Sequence, residues 1–408
     1  MKQLEEKIRE TIRHRGPIAF AEFMAMALYD PQYGYYTSGG ARIIGREGDF
    51  FTSANMHRAF GAMPARQAQE MWAAMGRPDP FYVIECGPGT GLLCADFLDA
   101  LSVSPTPDGA RFYVALKYRL IEISPALRRI QQERLMPAYA NKVAWADSLS
   151  ELQAALRAHE VVRGCVLSNE LLDAFPVHLV RTQAAGDAVN LMEVFVDSTP
   201  EGFFKEALLP AGAPLVKYIE EFAPEKLPDG YKTEINLAAH KWLADAAAVL
   251  HEGFILTIDY GYAAWEYYAP ERNRGTLMCY QGHKVSEDPY TDVGGRDITA
   301  HVNFSALKRW GDALGLRTLG YCTQGVFLVS MGIEDTLSEI TSEDDYLYQA
   351  AQLKRLIMPG SLGESHKVMV QYKGGGEPRL TQGAARPERQ ETAPALRGFA
   401  FSNRVAGL

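Results

Sequence analysis

Phe81-Tyr82-Val83-Ile84-Glu85-Cys86-Gly87-Pro88-Gly89-Thr90-Gly91-Leu92-Leu93 is the stretch whose reading decides the fold. Four apolar residues predict a short buried parallel strand, Glu85 stands near its end, and three glycines alternate behind it. A helical pattern then runs from Leu92 through Ala95, Phe97 and Leu98 to Leu101. Glycine at a strand-to-helix turn lets the backbone approach a ligand where a side chain would collide. The free N–H groups of the helix start point at the same place.

The spacing bears on which ligand fits. Dinucleotide folds favour G-x-G-x-x-G with a pyrophosphate on the helix terminus. Here the pattern is E-x-G-x-G-x-G, and a carboxylate two positions before the first glycine would repel a pyrophosphate but could accept hydrogen bonds from an ammonium group. S-adenosyl-L-methionine, with an α-amino group, a sulfonium and no phosphate, fits better. A tight turn with no ligand is the plainer alternative.

Working outward, Phe112 to Glu122 reads as a second strand behind a Ser104–Gly109 surface loop. In nucleoside-binding α/β sheets a carboxylate at this point binds the ribose hydroxyls, the role expected of Glu122. Val143 to Ala146 predicts a third strand with Asp147 and Ser148 at its exit, where an acidic residue can meet an adenine amino group. Val161 to Leu167 predicts a fourth, leading into Ser168-Asn169-Glu170-Leu171-Leu172-Asp173-Ala174-Phe175-Pro176-Val177-His178. Carboxylates, an amide and an imidazole thus gather at the carboxyl end of a central strand, where open α/β sheets place their sites. The other reading of this stretch is a helix start capped by Asn169 or Asp173. Gly253 to Tyr262 predicts a fifth strand; Arg317 to Phe327 and His366 to Lys373 predict a closing edge pair.

The remaining segments suggest additions to this sheet. Residues 1–79 read as a helical N-terminal region with an aromatic loop, Tyr29 to Tyr36, that packs or serves as a lid. Residues 80–372 form the main domain, with period-two patterning at about 179–232 marking an insertion. The Gly-, Pro- and Arg-rich residues 373–408 read as a mobile tail, one that a neighbouring surface could order. The chain of 408 residues is 47% hydrophobic, ample for a core. Its net charge of −9 disfavours nucleic-acid binding. No stretch reads as an integral membrane segment. Five scattered cysteines without a C-x-x-C pair, and an N-terminus lacking an apolar h-region, suggest reduced thiols in a cytoplasmic protein without zinc. His283 and His301 lack the carboxylate spacing of a metal site, so no metal is expected.

Six segments together resemble one family: Gly48–Ser53, Glu85–Gly91, Glu122–Pro125, Asn169–Val177, Ile258–Gly261 and Asp297–Phe304. The chain resembles the MidA-like family of class I S-adenosylmethionine-dependent methyltransferases, over roughly residues 10–372. The resemblance implies a Rossmann-like α/β sheet and S-adenosyl-L-methionine held by Glu85, Gly87, Pro88, Gly89, Thr90, Gly91, Glu122, Asp147, Ser148 and Asn169. It also implies a protein substrate methylated on arginine, since mitochondrial members act in assembly of respiratory complex I.

A guanidinium is protonated in water, so its methylation needs carboxylates that hold it, aim one nitrogen and accept a proton. Glu170 is the first candidate, with Asp173, three residues on, and His178 beside it. A S-adenosylmethionine-binding assembly factor without catalysis and a small-molecule methyltransferase remain as alternatives. The sequence leaves the oligomeric state open, a dimer included.

Overall fold

The computed structural model describes residues 2–38, 52–104, 106–156, 161–186, 188–282, 284–338, 340–376, 378–380 and 395–408. Gly48 to Phe51 of the first family segment, and His283, lie outside the described residues. Two compact units divide the chain. The first comprises Met1–Phe50, Leu172–Trp242 and Gly261–Leu307; the second comprises Phe51–Leu171, Leu243–Tyr260 and Lys308–Leu408.

The second unit carries the sheet that the glycine stretch predicts. Its strands are β1 (Phe81–Cys86), β2 (Leu116–Ile121), β3 (Val143–Ala146), β4 (Arg163–Asn169), β5 (Glu252–Tyr262), β6 (Arg317–Thr323) and β7 (His366–Lys373). They lie in the order β6-β7-β5-β4-β1-β2-β3. β1 to β5 run parallel, and β7 is antiparallel to both its neighbours. The chain moves outward from β1 to β3 and then returns to β4, so the switch point lies between β1 and β4. A doubly wound sheet opens its ligand crevice at the carboxyl ends of the strands flanking that point. Every residue of β1 is buried, as expected of a strand covered on both faces.

Two strand expectations change at helix caps. Phe112 to Ala115 belongs to a helix, Pro107–Ala115, because the Thr106 hydroxyl accepts from the Gly109 N–H at 3.1 Å and Pro107 sits in the first turn. β2 is correspondingly short. Likewise β6 stops at Thr323, whose hydroxyl caps a helix Gln324–Ser330. In both places apolar runs fit either period, and a threonine decides.

The C-terminal tail also differs from expectation. Leu396 and Phe399 are buried, Phe399 lying 5.9 Å from the Phe327 ring. The Gly398 N–H donates to Gln67 Oε1 at 3.2 Å, and Asn403 Nδ2 donates to the Leu319 carbonyl at 2.9 Å. Residues 395–408 are therefore packed into the second unit, since two large apolar side chains there find a core to enter.

The first unit holds an antiparallel sheet in the order Ile18–Ala19, Ala188–Ser198, His178–Ala185, Lys232–Ile235, with Phe204–Pro210 also pairing with Ala188–Ser198. The strand pair expected within the insertion is present in that last pairing. The helix Lys2–Arg15 buries the stripe Leu4, Ile8 and Ile12 in one core with Phe20, Phe23, Val194 and Val196. The N-terminal helices thus share a core with the insertion instead of forming a separate region 1–79. In the aromatic loop the Tyr36 hydroxyl donates to Asp297 Oδ1 at 2.7 Å and the Tyr29 hydroxyl to the Ala174 carbonyl at 3.0 Å. Those contacts make the loop part of the packing. Among the described residues, no helix is long and apolar enough to cross a membrane.

Candidate active site

The glycine turn adopts a backbone that only glycine takes without strain. Gly87, Gly89 and Gly91 have φ of 68°, 53° and 74°, in the left-handed region. A Cβ on Gly87 would lie 2.7 Å from Leu171 Cδ1, so space as well as torsion demands glycine there. Gly87 is exposed, and the helix Leu92–Ser102 starts directly behind the turn, with Gly91 at its N-cap. The Arg134 guanidinium braces the turn, donating to the Thr90 carbonyl and hydroxyl at 2.8 Å each. Pro88 is buried beneath it.

Glu85 does not face outward from this turn. Strand alternation aims it into the core, where it is 2% exposed and its Oε2 accepts from the Tyr118 hydroxyl at 2.8 Å. Burial pushes its carboxyl up to about 7, against the Tyr118 hydrogen bond, which pulls it down. The Tyr118 hydrogen bond thus gives Glu85 a structural role inside the sheet.

Glu122, following β2, is 6% exposed and accepts a hydrogen bond on each oxygen. Its Oε1 accepts from the Ser124 N–H at 2.8 Å and its Oε2 from Gln131 Nε2 at 2.9 Å. Gln131 Nε2 also reaches the Gly89 carbonyl at 2.7 Å, and its Oε1 accepts from the Trp145 indole at 2.8 Å. One amide thereby ties the glycine turn, the β2 carboxylate and β3 together. Burial raises the Glu122 carboxyl, opposed by the Ser124 and Gln131 hydrogen bonds. Sequence reasoning missed Gln131 because nothing in the helix period marks it off from a solvated glutamine.

At the end of β3, Asp147 is exposed and paired with Arg128 at 2.5 Å, and Ser148 uses its hydroxyl to cap Leu149–Ala155. Their expected adenine contact has no further support in the geometry.

β4 ends in the other notable constellation. Glu170 is a non-glycine residue at φ 49°, a conformation that costs energy and clusters at functional sites. Its N–H donates to the Ile258 carbonyl at 2.9 Å, and the Leu171 N–H donates to Asp259 Oδ2 at 3.2 Å, which holds the strained turn. Glu170 Oε1 accepts from the Ser53 N–H at 2.8 Å and from Asn169 Nδ2 at 3.4 Å. His366 Nε2, from the start of β7, stands 3.6 Å from the same oxygen. The Ser168 hydroxyl, Asn169 Oδ1 and His366 Nε2 are buried without a hydrogen-bond partner. Three such atoms around one strand end mark a place built to receive a polar group.

The structure does not gather the three candidate catalytic residues in one unit. No helix follows Glu170; residues 170–177 are turns and bends, so neither Asn169 nor Asp173 caps one. Asp173 lies in the first unit, 3% exposed, its carbonyl accepting from the Ala300 N–H at 2.9 Å and its charge helping to raise the buried Tyr36 hydroxyl. His178 also lies there, its Nδ1 2.6 Å from Glu193 Oε1 across paired strands. His301, in the same unit, packs against Tyr262 at 5.2 Å between rings.

A sheet with this strand order, an antiparallel β7 and a glycine turn opposite a buried carboxylate defines a class I methyltransferase-type nucleoside site. The comparisons agree. A family described as "Putative S-adenosyl-L-methionine-dependent methyltransferase" matches residues 63–322, and this chain belongs to it. A Burkholderia thailandensis protein, crystallised with S-adenosyl-homocysteine, shares 33% identity, covers 100% of this chain and 97% of its own, and superposes with a TM-score of 0.85. The mitochondrial protein arginine methyltransferase NDUFAF7 homolog of Drosophila melanogaster is 28% identical over 91% of this chain and 85% of the relative. The human mitochondrial protein arginine methyltransferase NDUFAF7 is 26% identical over 89% and 81%. The family resemblance read from the six segments is borne out.

Proposed function

We propose that this protein transfers a methyl group from S-adenosyl-L-methionine to an arginine side chain of a protein substrate. The observation that carries the reading is Glu170: a partly exposed carboxylate held at φ 49° directly after the strand flanking the switch point. The names of the curated relatives favour arginine on a protein as the acceptor.

The residues present fit the cofactor. The left-handed glycines leave the turn open to a close approach, and the Glu122 carboxylate stands at the strand end where a ribose diol is received. The unpartnered Ser168 hydroxyl and Asn169 amide oxygen supply further polar contacts. S-adenosyl-L-methionine, when bound, supplies an electrophilic methyl group. The chain's own task is alignment and proton handling. Glu170 accepts hydrogen bonds from the guanidinium, fixes which nitrogen is aimed, and takes the proton that nitrogen releases. The Ser53 N–H and Asn169 amide hold one carboxylate oxygen and leave the other for the acceptor.

We further read the acceptor as a subunit of a respiratory complex, as the family resemblance implies, and the compartment as the cytoplasm, which five buried free thiols suit. The test is mass spectrometry of arginine-containing candidate subunits incubated with the protein and S-adenosyl-L-methionine. A methyl mass increment on arginine supports the reading. A protein that binds S-adenosyl-homocysteine but transfers nothing to any guanidine would return the assembly-factor reading.

A further inference from the structure

β7 is the antiparallel strand of the sheet, so its first residue lies at the carboxyl ends of its parallel neighbours, beside the switch-point crevice. That residue is His366, 3% exposed and paired in register with Tyr260 of β5. A buried histidine at a strand start is usually satisfied on both nitrogens. This one is not. Nδ1 meets the Ser365 hydroxyl at 3.0 Å, the Tyr260 ring packs edge-on at 5.1 Å between centroids, and Nε2 has no hydrogen-bond partner.

What Nε2 faces is Glu170 Oε1, at 3.6 Å, a few tenths of an ångström beyond hydrogen-bond range. An ionised carboxylate carries only lone pairs on its oxygens. An imidazole nitrogen facing it makes a favourable contact only when it carries a hydrogen. Nδ1 lies 3.0 Å from the Ser365 hydroxyl, whose single hydrogen also reaches the Ser361 carbonyl at 3.3 Å, so this end of the ring is engaged whichever way the hydroxyl turns.

Resting on the arginine reading above, we propose that His366 is the positioning residue for Glu170: its Nε2–H holds Oε1 in place, so that Oε2 faces the acceptor guanidinium. The Ser53 N–H and the amide of the neighbouring Asn169 already donate to the same oxygen, and Nε2 stands 3.6 Å from it as the third group around Oε1. Donor–acceptor distances around catalytic groups often shorten only when substrate is bound, which accounts for the 3.6 Å gap. A mutual displacement of about 1 Å at a reacting group can cost about 10²-fold in rate.

The experiment uses the whole protein and has two arms. In the first, imidazole ¹⁵N spectra are recorded for wild type and Glu170→Gln; assignment comes from the signal absent in His366→Ala. The expected result is a His366 Nε2–H signal in wild type that shifts on Glu170→Gln. In the second, kcat and KM are measured for His366→Ala and His366→Gln with an arginine-containing peptide, beside calorimetric titration with S-adenosyl-homocysteine. Alanine should lower kcat by about 10²-fold with KM and S-adenosyl-homocysteine affinity within about twofold of wild type. Glutamine, whose amide also presents an N–H, should recover much of the loss. A His366 signal indifferent to Glu170→Gln, or a kcat unchanged in His366→Ala, would overturn the inference. So would parallel loss of S-adenosyl-homocysteine binding and turnover. Wild-type protein that binds S-adenosyl-homocysteine yet methylates no guanidine would instead defeat the arginine reading, and the spectra alone would then decide the pairing.

Discussion

Two carboxylates, the buried Glu122 behind β2 and the partly exposed Glu170 behind β4, are built in opposite ways. Glu122 takes its partners from its own neighbourhood, Ser124 two residues on and Gln131 nine residues on. Glu170 takes, besides its neighbour Asn169, Ser53 from 117 residues upstream, and faces His366 of β7, two strands away in the sheet, at 3.6 Å. The first is a local device that forms once one strand and its following helix form. The second exists only when the whole unit has folded, and its own backbone is strained at φ 49°. A group that binds a common cofactor can be held locally, whereas a group that must aim a proton at one atom is better fixed from several sides.

The sharpest way to break that contrast is Glu170→Gln. Turnover should fall by about 10³-fold while S-adenosyl-homocysteine binding is unchanged, read by steady-state transfer and calorimetry side by side. Equal loss of both would mean that the β4 end belongs to the cofactor half.

Next in size is Phe399→Ala in the C-terminal segment. Phe399 is 2% exposed and covers Gly320, where a Cβ would meet its ring at 2.5 Å. Truncation should cost about 3 kcal/mol of stability, read as a fall in denaturation midpoint, with binding and turnover at low temperature preserved. Neither carboxylate depends on this residue, so selective loss of one activity would contradict the separation.

Glu85→Gln sharpens the cofactor half. A buried carboxyl raised from 4.5 to about 7 favours the protonated folded state. Its stability contribution is thus present in full below the unfolded value and declines as pH rises towards about 7, by on the order of 3 kcal/mol. The glutamine variant should flatten that part of the stability–pH curve, since an amide oxygen still accepts from Tyr118 and never ionises. An unchanged slope would show that Glu85 carries no such load.

Much of the local half was legible in the sequence. The apolar run, the alternating glycines and the acidic strand ends announce themselves at short spacing, and β1, β4, β5 and β7 form where periodicity puts them. Glu85 was legible as a residue but not as a role, because E-x-G-x-G-x-G says nothing about which face of β1 the carboxylate takes. Gln131, Ser53 and His366 were not legible. Each acts through tertiary proximity, and none has a spacing that distinguishes it from an ordinary helix, loop or strand residue. The same limit joined Asp173 and His178 to Glu170 on sequence adjacency, where the fold assigns them to another unit. Phe399 and Leu396 were hidden by the composition around them.

The most direct test of the account is calorimetric titration of the purified protein with S-adenosyl-homocysteine, beside a Glu122→Ala variant. On the proposed reading Glu122 receives the ribose diol, so its loss should weaken binding by about 10²-fold, on the scale of charged hydrogen bonds. The account predicts a single micromolar site in the wild type and little or none in the variant, with circular dichroism unchanged. Equal affinity in both proteins, or no binding to well-folded wild type, would contradict it.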